Sequence, residues 1–153
     1  MTVGNLKIQF DSEESRNQNI IVRSMSIHTT DKVSEPFCVT QYQVTDWPVG
    51  QDTPEKLETL LQVYEMVQSS HTVVRNKANP IVVHCINGVG RTGVYCTMTE
   101  TLDRVKHDDI IDIFKTVKLL RENRSGLVNN TEQYSLCYDL VGAYLQQFAT
   151  YSN

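Results

Sequence analysis

The sequence lacks a surplus of positive charge, a long apolar run and paired cysteines, and each shortfall removes a class of function. Its 153 residues carry 14 Lys+Arg against 18 Asp+Glu, a formal charge of −4. No overall basic field exists to gather nucleic acid or an anionic membrane, so any anion site has to be assembled locally. No stretch approaches the ~18 consecutive apolar residues of a membrane span, and Met1–Phe10 lacks the basic-then-apolar order of a signal peptide. These features predict a cytoplasmic location with no direct membrane insertion and no nucleic-acid partner. Cys38, Cys85, Cys96 and Cys137 are scattered without CxxC spacing, which predicts reduced thiols rather than a disulfide framework or a zinc site. His28, His71 and His107 have no mutual ligand spacing, so no metal is expected, and no cofactor is expected either.

What remains is the ordinary balance of a single globular domain, 40% hydrophobic and 21% charged. Leu6, Ile8 and Phe10 alternate with polar residues, and Ile21–His28 and Phe37–Val44 are rich in β-forming types. The polar stretches Asp11–Asn19 and Asp31–Pro36 read as connections between these strands. The period then changes. Thr53 is placed to cap a helix with Pro54 at its first position, and Leu57, Leu60, Leu61, Tyr64 and Val67 form its apolar stripe. Ile81–His84 reads as a short buried strand, followed by a glycine-rich loop and a helix from Thr92 to about His107. Ile110, Ile113, Phe114, Val117 and Leu120 mark a third helix. Tyr134, Cys137, Tyr138, Val141, Leu145 and Phe148 mark a fourth, with Asn130 and Gln133 as its capping box. The order predicts an α/β fold, a mixed twisted sheet flanked by helices.

The chemistry concentrates between the predicted strand and helix, at His84-Cys85-Ile86-Asn87-Gly88-Val89-Gly90-Arg91-Thr92-Gly93. Five residues separate Cys85 from Arg91, so a tight loop can bring thiol and guanidinium onto one anion. Gly88 and Gly90 permit backbone conformations that turn successive N–H groups inward, and the following helix adds its positive end. Residues Ile86 to Arg91 therefore read as a phosphate-sized nest. Arg91 can grip two oxygens with a planar fork, and the positive surroundings favour thiolate at Cys85, a nucleophile for phosphorus. Thr92 can hydrogen-bond the sulfur and help it leave again. A bare Cys-x5-Arg arises by accident in roughly one such chain in five, so the spacing alone decides little. The complete string between a Val/Ile run and an amphipathic helix carries the assignment.

That string resembles the signature loop of the protein tyrosine phosphatases. Trp47-Pro48 resembles the start of that family's mobile general-acid loop, and Asn129-Asn130-Thr131-Glu132-Gln133-Tyr134 resembles its glutamine loop. The likeness extends to the second, membrane-distal phosphatase domain of MAM-type receptor tyrosine phosphatases, whose segments read like Trp47-Pro48-x-x-x-Asp52-Thr53-Pro54 and His84-Cys85-x-Asn87-Gly88-x-Gly90-Arg91. It covers the whole chain but only the C-terminal part of the family domain. Residues 1–153 are thus expected to be that part of a single domain, incomplete on the N-terminal side. The resemblance implies phosphotyrosine-containing proteins as partners and, in a tandem receptor, an adjacent active phosphatase domain.

Two departures set the functional expectation. Active relatives carry Asp after Trp-Pro to protonate the leaving tyrosyl oxygen, whereas this chain has Val49, with Asp46 and Asp52 three residues to either side. The first water-positioning Gln of the glutamine loop is Asn129, one methylene shorter, while Gln133 is retained. The expectation is a phosphotyrosine-binding regulatory domain, weak or silent in dephosphorylation. The alternative is an active phosphatase working through a phosphocysteine intermediate.

Overall fold

The computed structural model describes residues 1–31, 35–73 and 80–151, with side chains from 71 to 73 and beyond 147 set aside. The part of the predicted connection at 32–34, and the side chains of His71 and Phe148, therefore lie outside the described residues. The chain forms two compact units, Met1–Asp46 and Trp47–Asn153.

The first unit is a four-stranded antiparallel sheet in chain order, β1 (Thr2–Val3), β2 (Leu6–Asn17), β3 (Ile20–Thr29) and β4 (Phe37–Val44). Its tight turns follow from local chemistry. Val3 pairs with Leu6, and Gly4 sits between them at φ +58°, a conformation suited to the first central residue of a two-residue hairpin. Asn17 pairs with Ile20, and the Asn17 side chain accepts the Asn19 N–H at 2.8 Å. The sequence predicts a connection at Asp11–Asn19, yet most of it is strand. Polar cross-strand pairs account for the difference. Glu13 lies opposite Arg23, whose Nε reaches its carboxylate at 2.6 Å, and Ser26 donates to Asp11. Arg23 also donates to Gln41 and Gln43 on β4, at 3.0 and 2.6 Å. Register shifts at Phe10/Ser12 and Ser15/Asn17 accommodate the extra residues.

The second unit is helical: α1 (Leu57–Val73), α2 (Gly90–Asp108), α3 (Ile113–Asn123) and α4 (Thr131–Tyr151). The α/β class is as the sequence predicts, while pairing among the described residues is antiparallel throughout. The difference lies at 81–84, which carries no strand ladder, and Ile81 and Val82 are 52% and 82% exposed. A strand is defined by a neighbour that takes up its N–H and C=O groups, and among the described residues no such neighbour flanks this segment. Cys85 therefore follows an unpaired stretch rather than ending a central strand.

The core is where the four helices meet. α2 packs on α3 and α4, and α4 on α1. Leu60, Leu61 and Tyr64 of α1, Val94, Met98 and Leu102 of α2, and Leu136, Leu140 and Tyr144 of α4 are all buried. Tyr64 and Tyr144 meet edge to face, with centroids 5.9 Å apart. Several helix limits differ from the sequence reading. α1 begins at Leu57, leaving Thr53 and a buried Pro54 in the preceding loop, and α2 begins at Gly90 rather than Thr92. Ile110 precedes α3 and Phe114 is 68% exposed, so the buried stripe of that helix is Ile113, Thr116 and Val117. On α4, Tyr138 is exposed and Leu136, Leu140 and Tyr144 join Cys137 and Val141 in the core. None of the described helices is long and apolar enough to cross a membrane.

Asp112 starts α3 by accepting the Lys115 N–H at 2.8 Å. Asp112→Ala should lower stability by about 1 kcal/mol in urea unfolding, while Asp112→Asn, which keeps an acceptor, should cost a few tenths. Equal losses in both variants would show that the cap is not the source of the effect.

Candidate functional site

A cavity of about 180 Å³ is lined by Cys85, Ile86, Asn87, Gly90, Arg91, Asn129 and Gln133. The fold thus brings together the sulfur, the guanidinium and the Asn129/Gln133 pair that the sequence singles out from two distant segments. Thr92 and Gly88 support this lining from behind. The Thr92 hydroxyl donates to Cys85 Sγ at 3.2 Å, and Gly88 has φ +72°, which a side chain adopts only with strain. Gly90 serves a different purpose from the one its sequence position suggests. A Cβ there would stand 2.9 Å from Gln133 Nε2, so the glycine lets the glutamine amide sit where it does and any side chain would displace it.

The Cys85 thiol is held below its ordinary pKa. Partial burial opposes ionisation, but it is outweighed by hydrogen bonds from the Thr92 hydroxyl and from the backbone of Thr92, Gly88 and Asn87. The sequence assigns this effect to Arg91 and the loop amides, and the structure gives it to Thr92 and the amides. In the thiol form, Cys85 Sγ lies 3.6 Å from Asn87 Oδ1, which also accepts the Val89 N–H at 3.3 Å. Among the other thiols, burial pushes Cys137 up to about 12. Burial also raises Cys96, partly offset by the charge of Arg124. Cys137 is accordingly the packing residue that its place on an apolar face implies.

Arg91 Nη2 donates to the Pro48 carbonyl at 2.8 Å, and its guanidinium lies 5.5 Å from the centre of the Trp47 ring. The Trp47 indole N–H is satisfied by the Gln51 carbonyl at 3.1 Å. Gln51 N–H closes a turn on Pro48, with Gly50 at φ +86° where such a turn favours glycine. The Trp47-Pro48-Val49 segment is therefore fastened to the cavity cation, while Val49 itself is 81% exposed. No carboxylic acid stands among the residues lining the cavity. His84 is exposed, contrary to a buried strand histidine.

The glutamine segment is held by contacts the sequence does not announce. Gly93 has no room for a Cβ, which would lie 2.3 Å from Val128 N. Val128 N–H instead donates to the Val89 carbonyl at 3.1 Å, and Val128 adopts φ +59°, a costly conformation for a β-branched residue. Arg121 stabilises it, donating to the Leu127 and Val128 carbonyls at 2.8 Å each. Arg124 donates to the Gly88 carbonyl at 3.2 Å. Gln133 is buried, accepts the Asn129 N–H at 2.9 Å, and has its own N–H taken by Asn130 Oδ1 at 2.9 Å. Half of the predicted capping box is thus formed by Asn130, while the Gln133 side chain turns back to residue 129 instead of 130. Arg121 and Val128 carried no sequence signal of their own. Gly93, a glycine inside a helix, was the available clue.

Residues 1–143 match the family model described as protein-tyrosine phosphatase. The chain belongs to that family. It is similar to receptor-type tyrosine-protein phosphatase alpha of Homo sapiens, with 32% identity over 154 residues, covering all of this chain and 18% of that protein. It is 38% identical over 114 residues to receptor-type tyrosine-protein phosphatase S of Gallus gallus, covering 74% of this chain and 7% of that protein. The F-type receptor phosphatase of Mus musculus gives 38% over 114 residues, 74% of this chain and 6% of its own length. The chain thus spans less than a fifth of the length of these relatives. Among its described residues no group of His, Cys, Asp and Glu could hold a metal ion.

The depressed Cys85 pKa makes a direct prediction. At slightly acidic pH, iodoacetamide should label Cys85 ahead of Cys96 and Cys137, and Thr92→Val should slow that labelling by removing the donor to sulfur. Labelling of Cys85 that tracks an ordinary thiol titration would contradict this electrostatic assignment.

Proposed function

We propose that this chain is a phosphotyrosine-binding domain of a receptor-type tyrosine phosphatase, weak or silent in turnover, which acts as a cytoplasmic regulatory domain in phosphotyrosine signalling. One observation carries the reading: Cys85, its thiol held below its ordinary pKa, lines one cavity with Arg91, while the loop fastened to Arg91 carries the exposed, aliphatic Val49. Binding and turnover need different groups. The phosphoryl oxygens call for the Arg91 fork and the amides of residues 86–91, which the chain retains. In turnover, Cys85 Sγ forms a bond to phosphorus as the bond to the tyrosyl oxygen breaks, and that oxygen leaves well only if it gains a proton. Val49 has none to give. Loss of such a proton donor typically costs ~10²–10⁴ in rate.

Hydrolysis of a phosphocysteine would face a second deficit. Asn129 replaces a longer glutamine, and the Gln133 side-chain oxygen already accepts one hydrogen bond, from the Asn129 N–H. The Thr92 hydroxyl on Sγ would still help the thiolate depart. This intact nucleophile favours the second reading, an active phosphatase using a phosphocysteine intermediate. The partners that fit the first reading are phosphotyrosine-containing proteins and an adjacent active phosphatase domain of the same receptor. The finer likeness to a MAM-type membrane-distal domain belongs to this proposal, supported by the residues at 47–54 and 84–91.

Val49→Asp separates the two readings. Turnover of phosphotyrosine should rise about 10-fold or more, while an aryl phosphate whose leaving group needs no protonation should gain little. Wild-type turnover already at the rate of an active family member would overturn the regulatory reading.

A further inference from the structure

Asp52 has no role in the reading above, yet it makes a contact that links two separate parts of the site. Asn130 Nδ2 donates to Asp52 Oδ1, across 78 positions of sequence. Asn130 is at the same time the cap of α4, accepting the Gln133 N–H through Oδ1. Its amide thus uses both ends, oxygen toward the helix and nitrogen toward the 47–52 loop. The other end of that loop is tied to Arg91 through the Pro48 carbonyl and the Trp47 ring. Between the ties, the loop is braced by its own bonds from Gln51 N–H to Pro48 O and from Trp47 Nε1 to Gln51 O.

We propose that Asp52 and Asn130 form a latch that holds the 47–52 loop on Arg91 and so sets the orientation of the guanidinium and the residence time of an oxyanion in the site. Asp52 is a positioning residue here, not a replacement acid. Its carboxylate is engaged by Asn130, and it acts on the cavity through Pro48 and Arg91. The proposal rests on the phosphate-binding reading for its consequence, but the latch has its own optical readout. Trp47 is the single tryptophan of the chain and is 6% exposed.

The test exploits the two ends of the Asn130 amide. Asn130→Asp retains an acceptor for the Gln133 N–H, so α4 stays capped, but it removes the donor and sets a second carboxylate against Asp52. Combining it with Asp52→Asn reverses the pair, with the donor now at position 52. Acrylamide quenching of Trp47 in the 153-residue chain should rise about 3-fold in Asn130→Asp and return close to wild type in the reversed double variant. Vanadate should dissociate about 5-fold faster from Asn130→Asp and at the wild-type rate from the reversed pair. A merely structural role for Asn130 would not be rescued by reversal. If quenching is unchanged in Asn130→Asp, or is raised and not restored by Asp52→Asn, the latch is wrong. If quenching follows the predicted pattern but vanadate binds no variant, the latch stands and the anion-binding reading fails.

Discussion

The site depends on one close approach, that of Gly93 to the backbone of Val128. A Cβ at residue 93 would stand 2.3 Å from Val128 N, so only glycine lets the segment after α3 lie against the first turn of α2. That contact allows Val128 N–H to reach the Val89 carbonyl and obliges Val128 to sit at φ +59°. Arg121 answers the resulting strain with two bonds to neighbouring carbonyls. The chain then leaves Val128 where Asn129 and Gln133 face Gly90, itself bare enough to admit the glutamine amide. A cavity built from two segments 38 positions apart in sequence follows from two missing side chains.

Electrostatics then divide the chemistry in two. The thiol of Cys85 is pulled toward its charged form by short-range donors, the Thr92 hydroxyl and nearby amides, against the opposing effect of burial. Those donors belong to the loop and to α2, so they need no help from the 47–52 loop. The proton for a leaving group would come from that loop, where Val49 faces solvent. Cys85 and position 49 lie on separate segments, so the residue at one can change without disturbing the other. The relatives to which this chain is similar include receptor-type tyrosine-protein phosphatases alpha and S.

The helical half was largely legible because its signals are local. Leu60, Leu61 and Tyr64 recur at helical spacing and are buried, and Asn130 caps α4 as its place before Thr131 implies. The Cys85–Arg91 loop was legible for the same reason, its chemistry being compressed into seven residues. Long-range partners leave no such local signal. Residues 11–17 looked like a polar connection because Glu13 has meaning as a strand residue only opposite Arg23. Ile81–His84 looked like a buried strand from its composition, but burial and pairing are supplied by neighbours that a local pattern cannot reveal. The Asp52–Asn130 bond spans 78 positions, and neither residue alone distinguishes a latch from a solvated polar side chain.

The oxyanion site is expected to work as a binding site in its own right, with Arg91 as its cation. Calorimetric titration of a phosphotyrosine peptide and its unphosphorylated twin into the Cys85→Ser chain tests this directly, since turnover is abolished and only association is read. Binding should require the phosphate and disappear when Arg91→Met is added. Equal heats for the two peptides, or binding unchanged by Arg91→Met, would contradict it.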